Sequence, residues 1–191
     1  MSLGINFFII QIASLVIFSS ANIVLTQLYG PEEVTVFNIA QRYFTIFLML
    51  NAIFISPYWS SFTEAFYKND IVWIKKTIRK LNYISFLFIF GLLISLFLAD
   101  KLIFLWVGKS ISVPPTLKIA FTAHVIIQLL AAPYNIFVNG VSKVRLALYG
   151  ALISIIITIP LSIFFSSTLN AGPSGVVFAI ICSTLPSGII W

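Results

Sequence analysis

From Leu146 to Trp191 the chain reads LALYGALISIIITIPLSIFFSSTLNAGPSGVVFAIICSTLPSGIIW, 46 residues without a charged side chain. A helix crosses the hydrocarbon of a bilayer in about 20 apolar residues, so this run is two spans long. Residues Ser166, Ser167, Thr168, Leu169, Asn170, Ala171, Gly172, Pro173, Ser174 and Gly175 divide it, and so many turn formers together predict a tight loop. Working outward, Met1 to Pro31, Tyr43 to Thr63, Leu81 to Ala99 and Ile119 to Ser142 are also uncharged, and each is one span long. The prediction is an all-α polytopic membrane protein forming a single lobe over residues 1–191, with six transmembrane helices near 5–28, 36–63, 81–99, 118–139, 146–166 and 174–191. Strands are disfavoured, because the runs lack period-2 alternation and only helices or closed barrels satisfy their backbone groups in lipid. The first run lacks a basic leader and stays apolar past the length of a signal peptide, which predicts a helix there as well.

Composition agrees with lipid as the solvent. The chain has 191 residues, 60% hydrophobic and only 8% charged, against about 25% charged in ordinary soluble domains. A water-soluble fold of this size would leave large apolar patches exposed. Five acidic residues, one His and one Cys offer little to a metal site or a catalytic dyad, so the expectation is no enzyme, no metal and no cofactor. Cys182 stands alone, which rules out a disulfide within one chain.

Charge sets the predicted orientation. Lys68, Lys75, Lys76, Arg79 and Lys80 follow the second predicted helix, and Lys143 and Arg145 follow the fourth. The opposite loops hold Glu32, Glu33, Asp100, Lys101, Lys109 and Lys118. By the positive-inside rule the face with seven cations is cytoplasmic, and six spans then put both termini there. The net charge of +6 is read as this orientation signal and as attraction to anionic membrane lipid, with no nucleic acid as partner. Ile71, Ile74, Ile78 and Leu81 share one helical face opposite the lysines, which predicts a separate interfacial helix over 71–81. It either anchors the third span or serves in gating or docking.

Polar side chains at membrane depth mark candidate function. At 100° per residue His124, Gln128, Asn135 and Asn139 fall within about 60° on the fourth predicted helix, and Pro133 lies opposite. That stripe turns away from lipid, either to bond neighbouring helices or to line a wet cavity. Gln11, Ser14, Ser19 and Asn22 form a looser version on the first helix, and Asn38, Gln41, Arg42 and Thr45 cluster near the outer end of the second. Arg42 either snorkels to the outer headgroups or faces a cavity. Ser154, Thr158, Ser162 and Ser166 recur every fourth residue, a spacing suited to close helix packing. Glu64 is read as a local cap or lysine partner, and Trp59, Trp73 and Trp106 as interfacial anchors.

Particular strings add to these periodicities. Tyr29-Gly30-Pro31-Glu32-Glu33-Val34 is followed by Phe37-Asn38-Ile39-Ala40, then Pro57-Tyr58-Trp59-Ser60-Ser61-Phe62-Thr63-Glu64-Ala65. Leu105-Trp106-Val107-Gly108-Lys109, Asn139-Gly140-Val141-Ser142-Lys143, Pro160-Leu161-Ser162 and Gly175-Val176 come after them. In this order, and along the whole chain, they resemble the C-terminal half of bacterial polysaccharide flippases, the Wzx-like transporters of O-antigen and capsule units. The resemblance implies one lobe of a twelve-helix, two-lobe exporter fold in the bacterial cytoplasmic membrane. It also implies translocation of undecaprenyl-diphosphate-linked oligosaccharides between leaflets by alternating access, with an N-terminal lobe or a second copy as partner. Arg42 matches a cavity arginine of such flippases, which makes it a candidate contact for the diphosphate. The candidate cavity lining is therefore Arg42, Asn38, Gln41, His124, Gln128, Asn135, Asn139, Gln11 and Asn22. Alternatives are a cation-coupled extruder of the same fold, for which no span offers a membrane-depth carboxylate, and an integral membrane transferase.

The predicted topology has a direct check. A thiol introduced at Lys76 in a Cys182→Ser background should resist an impermeant maleimide in intact cells and react once the membrane is opened.

Overall fold

The structure, a computed structural model, describes residues 3–108 and 111–189. Among these the chain is helical and contains no strand. The elements are α1 (Leu3–Tyr29), α2 (Pro31–Ile55), α3 (Tyr58–Tyr67), α4 (Ile71–Val107), α5 (Pro115–Gly140), α6 (Arg145–Ile163), a π-helical turn (Phe164–Thr168) and α7 (Pro173–Ile189). Five helices are long and apolar enough to cross a membrane: Gly4–Tyr29, Pro31–Ile55, Ile71–Val107, Pro115–Gly140 and Ala147–Thr168. The last predicted span forms α7, a helix of 17 residues. Lys109 and the final two residues of that predicted span lie outside the described residues.

Three boundaries differ from the sequence reading, each for a local reason. The helix expected over 36–63 is two helices, because Pro57 has no N–H to give the carbonyl four residues back and its ring crowds that turn. Its start also moves back to Pro31, whose fixed φ suits the first helical position, with Glu32 and Glu33 placed against the positive end of the helix dipole. The expected interfacial helix over 71–81 is continuous with the third span. Asp70 caps this helix by accepting from the Trp73 backbone N–H at 2.9 Å. From there 37 residues run unbroken, about 55 Å at a rise of about 1.5 Å per residue, and stop at Gly108, whose φ is +95°. Asp100 and Lys101, expected in a loop, thus sit on α4.

α5 is the central helix and touches α2, α3, α4 and α7, whereas α1 leans on α6 and α2. The main core gathers Leu25, Phe37, Phe44, Leu92, Phe121, Val125, Leu129 and Val176. Phe121 meets Phe37 at 5.1 Å between ring centroids and stacks on Phe44 at 6.4 Å. A smaller core of Ile55, Phe62, Ala65, Ile74 and Leu81 seats α3 on the start of α4 and the end of α5. Outward faces carry large apolar side chains such as Phe90, Phe97 and Ile156, as lipid contact requires.

Inside lipid the hydrophobic effect does not draw helices together, so close approach and hydrogen bonds must. The α6–α7 pair shows both. Ser154, Thr158, Ser162 and Ser166 are all buried. Ser154 Oγ donates to the Ser183 carbonyl at 2.6 Å, and Thr158 Oγ1 donates to Ser183 Oγ at 2.7 Å. Tyr29 closes the far corner, donating to the Ser166 carbonyl at 2.7 Å. At the start of α7, a Cβ on Gly175 would sit 2.6 Å from the Ser166 nitrogen and 2.7 Å from the Phe165 carbonyl carbon.

Because those neighbours are backbone atoms, Gly175→Ala should lower the thermal midpoint in detergent, with an overpacking cost of about 1–3 kcal/mol. Gly4→Ala, whose added carbon meets nothing within 4 Å and which gains helix propensity in α1, should not lower the midpoint in the same melt.

Candidate functional site

Helical spacing puts Gln128, Ala131, Asn135 and Asn139 on one stripe of α5. Opposite them α1 presents Gln11 and Ser14, and α6 presents Ala147, Ala151 and Ser154 at intervals of four and three residues. The small side chains of Ala147 and Ala151 leave the space between α6 and α5 unfilled. The result is a cleft of about 690 Å³ between α1, α5 and α6, with Trp59 of α3 and Thr184 of α7 completing its lining. Tyr134 joins the rim and accepts a hydrogen bond from Asn82 Nδ2 at 3.2 Å. Gln11, Ser14, Trp59, Tyr134 and Asn135 remain exposed, so the cleft is open to the outside of the lobe.

Four of the nine candidate residues, Gln11, Gln128, Asn135 and Asn139, line this cleft. The other five are placed elsewhere. His124 shares the α5 stripe but is 5% exposed and makes no hydrogen bond to a described residue. Asn22 and Asn38 bond to each other across α1 and α2, with Nδ2 of Asn38 donating to Oδ1 of Asn22 at 3.2 Å and also to the Val34 carbonyl at 2.9 Å. Gln41 is half-buried on α2. Arg42 is exposed on the side of α2 opposite Phe37, Ala40 and Phe44, and has no ion-pair partner among the described residues. The polar groups therefore form two sets, one in the cleft towards the basic end and one near the α1–α2 turn.

The cleft's chemistry is narrow. No charged side chain is among its described lining, and among the described residues no group of three or more His, Cys, Asp or Glu stands together to hold a metal. Amides and hydroxyls donate and accept hydrogen bonds without bringing charge into a medium of low dielectric. Beside them stand the rings of Trp59 and Tyr134, each with a polar edge and an apolar face. Such a lining suits a neutral, hydroxyl-rich group. Trp59 and Tyr134 escaped the sequence reading. A second helix running straight through Pro57 puts Trp59 at its interfacial end, and Tyr134 lies about 100° from Asn135 by spacing.

At the opposite end Lys118 of α5 holds the Asp100 carboxylate through both oxygens, at 2.7 and 2.8 Å. Its side chain is nearly buried while that of Asp100 faces out. The pair ties the end of α4 to the start of α5 well away from the cleft.

Accessibility to water separates the two kinds of position on α5. In a Cys182→Ser background, Asn135→Cys and Gln128→Cys should react with a hydrophilic maleimide in detergent, and His124→Cys should react at least tenfold more slowly. Equal rates at all three positions would show that the cleft does not end below His124.

No family model, no curated protein and no solved structure matches this chain.

Proposed function

We propose that the chain is one lobe of a transporter that moves undecaprenyl-diphosphate-linked oligosaccharides from the inner to the outer leaflet of a bacterial cytoplasmic membrane. The observation that carries this reading is the uncharged amide, hydroxyl and aromatic cleft in a bundle that elsewhere exposes large apolar side chains such as Phe90, Phe97 and Ile156. Neutral sugar rings match that lining, since their hydroxyls pair with amides and their C–H faces lie on aromatic rings. A lipid-facing bundle with no transport role gains nothing from holding Gln128 and Asn135 open at depth, where unpaired amides are costly.

In this reading α7 is the sixth span. Its 17 residues cover about 25 Å, within reach of a locally thinned or tilted bilayer. Both termini then lie with the seven cations on the cytoplasmic side. The cleft opens towards that side, where lipid-linked sugars are assembled, and Arg42 waits nearer the outer half. Its guanidinium can hold a diphosphate through two parallel charge-assisted hydrogen bonds, which a lysine cannot reproduce. A pathway also needs a second wall, supplied by another lobe or a second copy, because alternating access is the rocking of one repeat against its counterpart.

The assay is leaflet transfer of a fluorescent polyprenyl-diphosphate sugar in proteoliposomes that hold the assembled transporter. Transfer should saturate with substrate. Arg42→Ala should slow it about 10- to 100-fold, the cost of lost hydrogen bonds to a charged group, and Arg42→Lys should fall between. Full-rate transfer by Arg42→Ala would remove the role given to Arg42, and absence of transfer by the wild type would remove the function.

A further inference from the structure

Gln11, Gln128, Asn135 and Asn139 line the cleft with side chains that make no hydrogen bond to a described residue. Each amide offers two donors and an acceptor oxygen. The indole N–H of Trp59 is equally free, and Tyr134, whose oxygen accepts from Asn82 Nδ2 at 3.2 Å, keeps its own proton to donate. Polar groups left open in a medium of low dielectric call for an occupant that forms many hydrogen bonds at once. An acyl chain forms none, and a neighbouring helix has its backbone groups already bonded within itself.

Two aromatic rings stand at different depths beside these amides. Phe7 meets the Trp59 ring at 5.5 Å between centroids, tilted by 44°. The Trp59 carbonyl lies against residue 140 of α5, where an added Cβ would approach it to 3.0 Å, so Trp59 is level with Asn139. Tyr134 lies six residues back along α5, about 9 Å by helical rise, next to Asn135. A ring with an amide beside it thus occurs twice along one cleft, and the stripe from Gln128 to Asn139 covers about 16 Å. That length exceeds one sugar ring. It fits two consecutive rings, their hydroxyls on the amides and their C–H faces on Trp59 and Tyr134. Charge narrows the ligand further, because neither a carboxylate nor any of the seven cations of the basic end enters the described lining. A charged sugar would leave water with no opposite charge to meet it, a penalty that neutral amides offset only in part.

We propose that the cleft is a selective seat for an uncharged glycan of two or more rings, with Trp59 and Tyr134 as its stacking platforms. Glycans that carry a carboxylate or an ammonium are turned away. The transport reading supplies the glycan as ligand, and the seat adds which glycans it takes and which rings hold them. The diphosphate stays at the lipid surface, outside the cleft, while the neutral rings occupy it.

The test uses the full chain in a detergent without a sugar headgroup, with Ala131→Cys on the cleft stripe of α5 in a Cys182→Ser background. Maltose or diacetylchitobiose should slow the reaction of this thiol with a hydrophilic maleimide, and the protection should saturate. A glucuronate-containing disaccharide and fully deacetylated chitobiose should protect at least about tenfold more weakly, since their charge finds no partner. Trp59→Ala and Tyr134→Ala should each weaken protection by the neutral sugars about tenfold, while Trp59→Phe, which keeps a ring, should stay within about threefold. Phe97→Ala, on an exposed face of α4, should change nothing, and unaltered helical circular dichroism of the cleft variants shows that folding is intact. No protection by either neutral disaccharide, equal protection by the charged ones, or full protection in both alanine variants overturns the proposal. Leaflet transfer separates the seat from the function. Selective protection without transfer removes the transport reading and supports the seat, whereas transfer with equal protection by charged sugars removes the seat alone.

Discussion

Hydrocarbon offers no hydrogen bonds, so every amide or hydroxyl at membrane depth must meet a protein partner or water. α5 answers this in two ways along one stripe. His124 is buried without a hydrogen bond to a described residue, whereas Gln128, Asn135 and Asn139, where α1 and α6 stand apart, line the cleft. The difference lies in the neighbours. Ala147 and Ala151 on α6 are too small to fill the space that the α5 amides face, while towards the other end of α5 the rings of Phe37, Phe44 and Phe121 pack together in the core.

The same constraint explains which features were legible in the sequence. Uncharged runs of about 20 residues locate helices because charge at depth is costly, and the 100° spacing of His124, Gln128, Asn135 and Asn139 puts them on one stripe whatever surrounds it. Charge does not mark where a helix ends. Lys75 to Lys80 lie beyond the hydrocarbon, where a helix tolerates cations, so α4 passes through them without a break. The division at Pro57 was written in the sequence, yet the apolar run continued beyond it and hid α3. Burial of His124 and exposure of Asn135 depend on α1, α6 and α7, which no spacing rule within α5 contains.

Rigidity is unevenly distributed as a result. α6 and α7 are joined by buried hydroxyl bonds and by the backbone approach at Gly175, and Tyr29 ties the end of α1 to the same corner through the Ser166 carbonyl. Ser162 and Ser166 keep hydroxyl oxygens there without a hydrogen-bond partner among the described residues, a cost carried by tight packing rather than repaid by bonding. Elsewhere single ties join the helices, Asn38 to Asn22 between α2 and α1, Asn82 to Tyr134 and Lys118 to Asp100 between α4 and α5.

α3 links two regions of different chemistry through ten residues. Trp59 at its start lines the cleft, while Tyr67 at its end stands on the basic surface. It holds that position because residue 140 has no side chain. A Cβ there would lie 3.0 Å from the Trp59 carbonyl oxygen and 3.1 Å from Phe62 Cβ, and the Thr63 hydroxyl reaches the Gly140 carbonyl only at this approach. One close backbone approach at Gly140 therefore sets both where Trp59 stands in the cleft and where Tyr67 stands at the basic end.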